Sequence, residues 1–379
     1  MTGRERLLCA MRHEEPDYVP VFECLYSRPL VQEVLGYVPE TFHMPSIFKC
    51  CEKIGYDFAF VPFLGVSGFR PENVGTEVYK DEWGITCKKD PATWPIDGAL
   101  ANPLKDGEDW KNYTMPDAKE DWRYKDFKEV IKMSRENGMG VIGNVRGPYS
   151  GSWMLFGMEN FAYLLYDEPE TVDAVLTAMT DFALDASRRL AAEGADAILF
   201  SDDYGSSLQP LFSKEQFRRY IKPHIRRMAA EVKKLGIPFI MHSDGAIAPL
   251  VDDCVEAGIE GMHPVERDAG MDIAFIKKNY GRGICIFGNV NNKATMVTGS
   301  VEDVEAEVRE CIGIAAPGGG YCLSTDHSVH DDIPNRNVFA LYEAGRKYGK
   351  YPIQADCLAA SGQAPDRSSN QSGQDRQIK

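Results

Sequence analysis

A (β/α)8 TIM barrel, an α/β fold with a hairpin-containing segment inserted after the second strand, is the fold class this chain predicts. Eight short apolar runs recur, at 19–22, 58–63, 139–146, 195–203, 238–245, 258–266, 284–290 and 320–328. Nearly continuous apolar runs that end in polar residues are what strands buried on both faces show. Between most of them, apolar residues recur three and four apart, as in 169–194, 213–236 and 300–316, the spacing of helices that cover a sheet. Such alternation gives a closed barrel or an open doubly wound sheet. No GxGxxG follows the first run, which disfavours the open sheet.

The elements follow in order. VPVF at 19–22 and FAFVPF at 58–63 form the first two strands. Residues 64–125 then break the rhythm: VYKDEWGITCKKD reads as a hairpin, and DGEDWKNYTMPDAKEDWRY sets aromatics among polar residues. We read this segment as an insertion over one barrel mouth, where long connections often serve as lids. From 139 onward strand and helix alternate to the end of the barrel. Ser300 is placed to cap the helix that starts at 301, with Asp303 in its first turn. Pro317–Gly320 lacks the GxxxxGK[ST] pattern and reads as a turn before the eighth strand. Residues 1–355 form one domain in this reading, and 360–379 lack the apolar content to fold.

Composition narrows the function. With 379 residues and 44% hydrophobic content the chain can bury a large core. A net charge of -15, from 42 Lys and Arg against 57 Asp and Glu, excludes a nucleic-acid binder, which needs a basic surface. No run approaches a membrane span or a secretory leader, so a cytoplasmic location off the membrane is expected. Ten scattered cysteines without a CxxC read as reduced thiols filling core positions.

In a barrel, chemistry gathers where strands end, and here the ends are polar. The fourth run closes in Asp202, Asp203 and Tyr204, the fifth in His242, Ser243 and Asp244, the sixth in His263 and Glu266, the seventh in Asn289, and the eighth in Asp326, His327 and Ser328. His242 and Asp244 are two apart on a strand and so face one side. With His327 they make a ligand set for zinc or another divalent metal, and Glu266 or Cys322 is the candidate fourth. Asp202, Asp203, Glu266 and His327 are the candidate acid and base groups. A strand-end histidine is often a hydrogen-bonded rim group, the alternative reading for His242, His263 and His327, and paired rim carboxylates can serve only to hold backbone N–H groups.

Several blocks carry a resemblance: RERLLCAMRHEEPDYVPV, the HSDG of the fifth strand, AGMDIAFIKKNYG with IFGNV after it, and STDHSVHDDIPNRNVFALYEAGRKYG. Together, over residues 3 to about 350, they resemble the uroporphyrinogen decarboxylase superfamily, whose fold is a (β/α)8 barrel. Its true decarboxylases carry an arginine-rich segment after strand one, where this chain has FECLYSRPLVQ with Arg28 alone. Their strand-two aspartate is absent from FVPFLG, and their active-site tyrosine falls near Trp153 or Met154. The strand-eight histidine is kept as His327. The cobamide-dependent methyltransferases of the superfamily use zinc held by His-x-Cys on strand five and a cysteine on strand eight. The matching positions here are His242, Asp244 and His327, a change from sulfur to nitrogen and oxygen donors.

The resemblance implies a metal-dependent methyltransferase, O-demethylase-like, that moves a methyl group from a small methoxylated or methylamine-type donor to a cobamide carried by a corrinoid partner protein. Trp153, Met154, Tyr204, His263 and Asn289 are the residues expected to contact that donor. Two alternatives stand beside it: a metal-free lyase acting on a smaller acid, and a tetrapyrrole or corrinoid binder without catalysis. The superfamily fold occurs as monomer or homodimer.

Overall fold

The computed structural model describes residues 1–40, 42–64, 77–90, 97–354 and 357. Its strands are β1 (Phe58–Leu64), β2 (Val78–Lys80), β3 (Thr86–Lys88), β4 (Gly98–Ala101), β5 (Gly140–Arg146), β6 (Ala197–Ser201), β7 (Phe239–His242), β8 (Gly261–His263), β9 (Cys285–Val290) and β10 (Tyr321–Thr325). Seven of them form one parallel sheet in the order β1-β5-β6-β7-β8-β9-β10. Sequence order equals spatial order after β5, as expected when helical crossovers of one hand wind a sheet around. The long helix Pro169–Glu193 and the helix Val301–Ala315 are two of those crossovers. Ser300 caps the latter in a full capping box with Asp303.

The first expected strand is not one. Residues 19–25 make isolated bridges, Val21 to Leu323 and Leu25 to Val329, both parallel. Pro20 has no N–H to give to a ladder, but its carbonyl accepts from Leu323 at 2.8 Å, and the Val21 carbonyl accepts from Asp57 N at 2.9 Å. The segment therefore bonds β10 on one side and the residue before β1 on the other. Asp57 pins it further: one carboxylate oxygen accepts from Val21 N and the other from the Arg6 guanidinium, both at 2.8 Å.

Alternation along the strands sorts the core in two. Side chains on the convex side meet the helices. On the concave side Phe22, Phe58, Phe60, Phe287, Cys285 and Cys322 pack together, with Leu7, Ala10 and Met11 of the helix Gly3–Met11 closing the amino-terminal end. Phe22 and Phe58 stack with centroids 4.4 Å apart. The floor is apolar, so polar side chains on this side sit at the carboxyl ends of the strands.

Between β1 and β5, the strands β2, β3 and β4 form a separate antiparallel sheet. The Glu82 carboxylate beside it pairs with both terminal nitrogens of Arg123, and both side chains are buried. Residues 65–76 and 91–96 of the expected insertion, and the expected tail at 360–379, lie outside the described residues.

Candidate active site

Above the phenylalanine floor lies a polar layer. Asn144, Ser201 and His242 stand two residues beyond inward apolar positions on their strands, and His263 packs on Phe22 and Phe60 of the floor, so the four share the concave side. Register aligns Ser201 with His242 and His242 with His263. The Ser201 hydroxyl donates to Asn144 Oδ1 at 2.7 Å. The two imidazoles stack, centroids 4.9 Å apart, with their Nδ1 atoms 2.7 Å from each other.

His242 turns its Nε2 toward carboxylates. Asp244 Oδ2 is 3.6 Å away and Asp203 Oδ1 3.8 Å. One ligand atom from each of these three residues lies within 4.8 Å of the other two. In a tetrahedral zinc site, donors at about 2.0–2.3 Å from the ion stand roughly 3.3–3.8 Å apart. Asp244 Oδ1 is buried and has no hydrogen-bond partner. A buried carboxylate oxygen without a donor calls for a cation, so the residues present fit a divalent metal. Backbone contact holds Asp244 there: Gly245, at a φ of 86°, and Gly205 approach so closely that a Cβ on Gly205 would come within 2.9 Å of the Asp244 carbonyl.

His327, just beyond β10, reaches the same carboxylate, its Nε2 3.1 Å from Asp244 Oδ2. That contact, against the cost of burial, lifts the His327 imidazole to about 9. Burial disfavours charge on His242, yet Asp244 and Asp203 prevail and raise it. Burial likewise favours neutral Asp244, but His242 and His327 outweigh it and hold the carboxyl well below the usual range. Glu266 is near, its Oε2 accepting from Gly245 N at 2.7 Å.

The two adjacent carboxylates part company. Asp203 is half exposed at the mouth. Asp202 is fully buried and accepts from the Tyr149 N–H, the Ser150 N–H and the Tyr204 hydroxyl at 3.1, 2.5 and 2.9 Å. Its carboxylate anchors the amino terminus of the helix Pro148–Phe156, and burial lifts it to about 6. Gly147 permits this, since a Cβ there would sit 2.3 Å from Asp202 Cγ. Both Asp202 oxygens accept from protein donors, which ties the carboxylate to that helix terminus.

Other expected residues lie elsewhere. Cys322, a candidate ligand, is packed on the phenylalanine floor beside Cys285, where burial drives its thiol well above the ordinary range. It is one strand layer too low to meet His327. Tyr204 is buried against Phe217 and Tyr149 with its hydroxyl on Asp202, so it supports the rim and does not line it. Asn289 turns its amide oxygen to Arg267 at 3.5 Å and Cys311 at 3.6 Å, away from the histidines. Trp153 and Met154 sit on Pro148–Phe156 against the helix-facing core. His263 is buried among Phe22, Phe60 and His242 and supports His242 from below. Arg28 is paired with Asp331.

Two residues at this mouth, Arg146 and Tyr26, were passed over in the sequence, whereas Cys24 stood out there as a thiol near a strand end. Arg146 ends β5 beside Asp203 and Asp202, where burial works against its charge. The signal was a cation closing the run GVIGNVR. Cys24, lifted to about 11 by burial, and Tyr26 stand near Asp244 and Arg146 respectively.

Glu23, also unremarked, is buried against Thr325, two residues before His327. Its Oε1 accepts from Thr325 N at 2.8 Å, and its Oε2 is 2.7 Å from Thr325 Oγ1. That hydroxyl is also 2.5 Å from the His327 carbonyl. One hydrogen cannot serve both; given to the carbonyl, it leaves Glu23 to supply the other. Burial pushes Glu23 up to about 8, which keeps that proton at neutral pH. A carboxyl raised from 4.5 to about 8 on folding costs stability increasingly as pH climbs between those values. Glu23→Gln is therefore expected to raise the melting temperature by about 2–4 °C near pH 8 and by almost nothing near pH 5. An equal gain at both would show that Glu23 is ionised throughout.

A family model described as uroporphyrinogen decarboxylase (URO-D) matches residues 95–348. The chain belongs to the URO-D family. Similar proteins come from both of its activities. A methylcobamide:CoM methyltransferase of Methanosarcina barkeri is 25% identical over 363 residues, covering 92% of this chain and 98% of that protein. A uroporphyrinogen decarboxylase of Anaeromyxobacter dehalogenans is 26% identical over 256 residues, covering 66% and 71%. Among solved structures, a methyltransferase from Methanosarcina mazei superposes with a TM-score of 0.71 at 21% identity, covering 92% of this chain and 99% of that one. This URO-D family member thus has the TIM-barrel-like α/β fold of that structure. Among its described residues, no helix is long and apolar enough to cross a membrane.

Proposed function

We propose that this URO-D family protein is a metal-dependent methyltransferase, built on a (β/α)8 barrel, that moves a methyl group from a small methoxylated or methylamine-type donor to a corrinoid partner protein. The observation that carries the reading is the group Asp203, His242 and Asp244 with its buried, unpartnered Asp244 oxygen. The near full-length alignment with a methylcobamide:CoM methyltransferase supports it.

Asp203, His242 and Asp244 would hold zinc or another divalent ion, with Glu266 close by as a further oxygen donor. Bound there, the metal supplies Lewis acidity toward the donor's oxygen or nitrogen. Nitrogen and oxygen ligands suit that role, whereas thiolates push electron density onto a metal and favour thiol chemistry. Asp244 also holds His327 at the mouth, its Nε2 3.1 Å from the carboxylate. As the methyl–heteroatom bond breaks, the electron pair stays on the heteroatom, and His327 is positioned to deliver the proton that neutralises it. The phenylalanine floor keeps water out from below.

The reading is tested with zinc-loaded protein, free cob(I)alamin and a panel of methoxybenzoates and methylamines. Methylcobalamin should form, followed by its absorption spectrum, with at least one donor. No transfer from any panel member would end the methyltransferase assignment in favour of the lyase.

A further inference from the structure

We infer that His263 is a positioning residue that fixes which nitrogen of His242 is offered to the metal. The inference rests on the proposed metal site and concerns a group outside it. His242 and His263 stand opposite each other on β7 and β8, rings stacked at 28° and Nδ1 atoms 2.7 Å apart. Two nitrogens at that separation share one hydrogen, donated by one ring and accepted by the other.

The donor follows from the other end of His242. Its Nε2 faces Asp203 and Asp244. To ligate, Nε2 must present a lone pair, so the hydrogen of the neutral ring is on Nδ1 and points at His263. A doubly protonated His242 donates from Nδ1 as well. In both conditions His263 accepts, and its own hydrogen is on Nε2. The opposite arrangement, with His263 donating, would leave the His242 hydrogen on Nε2, where it blocks ligation.

The surroundings hold His263 to this task. The residue is 1% exposed, with Phe60 edge-on at 5.0 Å and Phe22 at 5.8 Å. Its Nε2 has no polar partner. Ligating histidines usually donate their second N–H to a carboxylate, a carbonyl or water. A neutral imidazole in that position adds no charge, so two carboxylates and a neutral histidine balance a divalent ion.

Two variants test this. His263→Asn keeps an acceptor, since the amide oxygen occupies the place of Nδ1; His263→Leu removes it but suits the apolar surroundings. Zinc affinity is measured by competition with a chromophoric chelator, and cobalt(II) substitution gives the visible spectrum of the site. The leucine variant should bind zinc about 10–100-fold more weakly than wild type, with an altered cobalt spectrum, and the asparagine variant should recover most of that loss. Melting temperatures should rank the other way, leucine at or above asparagine, which separates positioning from mere packing. Leucine binding zinc as tightly as wild type, or as tightly as asparagine, overturns the inference alone. Wild type binding no zinc overturns the metal site and this inference with it.

Discussion

Replacing His242 and Asp244 together by alanine is expected to abolish metal binding while the circular dichroism spectrum stays native. Elemental analysis of the wild type should give about one divalent ion per chain, and of the double variant none. Two of the three converging donors are gone, and Asp203 alone, half exposed to water, cannot compete with hydration. The floor beneath is untouched, because it is made by Phe22, Phe58, Phe60 and Phe287. Binding to the folded state alone also predicts that zinc at 100 times its dissociation constant stabilises wild type by about 2.7 kcal/mol, and the variant by nothing. Full metal content in the double variant would locate the ion elsewhere and withdraw the site.

The second large effect separates neighbouring carboxylates. Asp202→Ala strips the acceptors from two backbone N–H groups and a tyrosine hydroxyl, all buried. We expect a loss of at least about 3 kcal/mol in denaturant unfolding of the metal-free protein. Asp203→Ala removes a half-exposed side chain and should change metal-free stability by about 1 kcal/mol or less, while weakening zinc binding more than tenfold. If the two variants lose equal stability, the division of labour argued from their burial is wrong.

The pair also shows how far the sequence carried. Period and run length were enough for the parallel strands, and the polar residues after them were enough for the rim, because both follow from burial of a sheet on two faces. Asp202 and Asp203 could not be told apart, since β6 stops at Ser201 and strand alternation says nothing beyond a strand's end. What decides between them is a long-range fact, the helix Pro148–Phe156 presenting its N–H groups to Asp202. Cys322, one of two alternatives for a fourth ligand, packs on the phenylalanine floor, and its chain proximity to His327 did not reveal that height within the sheet. His263 was legible as a rim histidine but not as the partner of His242, because register between neighbouring strands is written in no single stretch of sequence. VPVF was read as a full strand despite its proline, and the isolated bridges of Val21 and Leu25 were beyond any local signal.

The seam at residues 19–25 gives the molecule a timetable. Glu23 meets Thr325 across 302 positions of chain, so the ring cannot close until β10 has left the ribosome. Loop closure over such a span is entropically slow. Until it happens, the early strands keep an open flank, and His327 cannot join a carboxylate that emerged more than 80 residues before it. Newly made chains should therefore pass through an interval in which Asp203, His242 and Asp244 are in place without His327, which joins Asp244 only once β10 has docked.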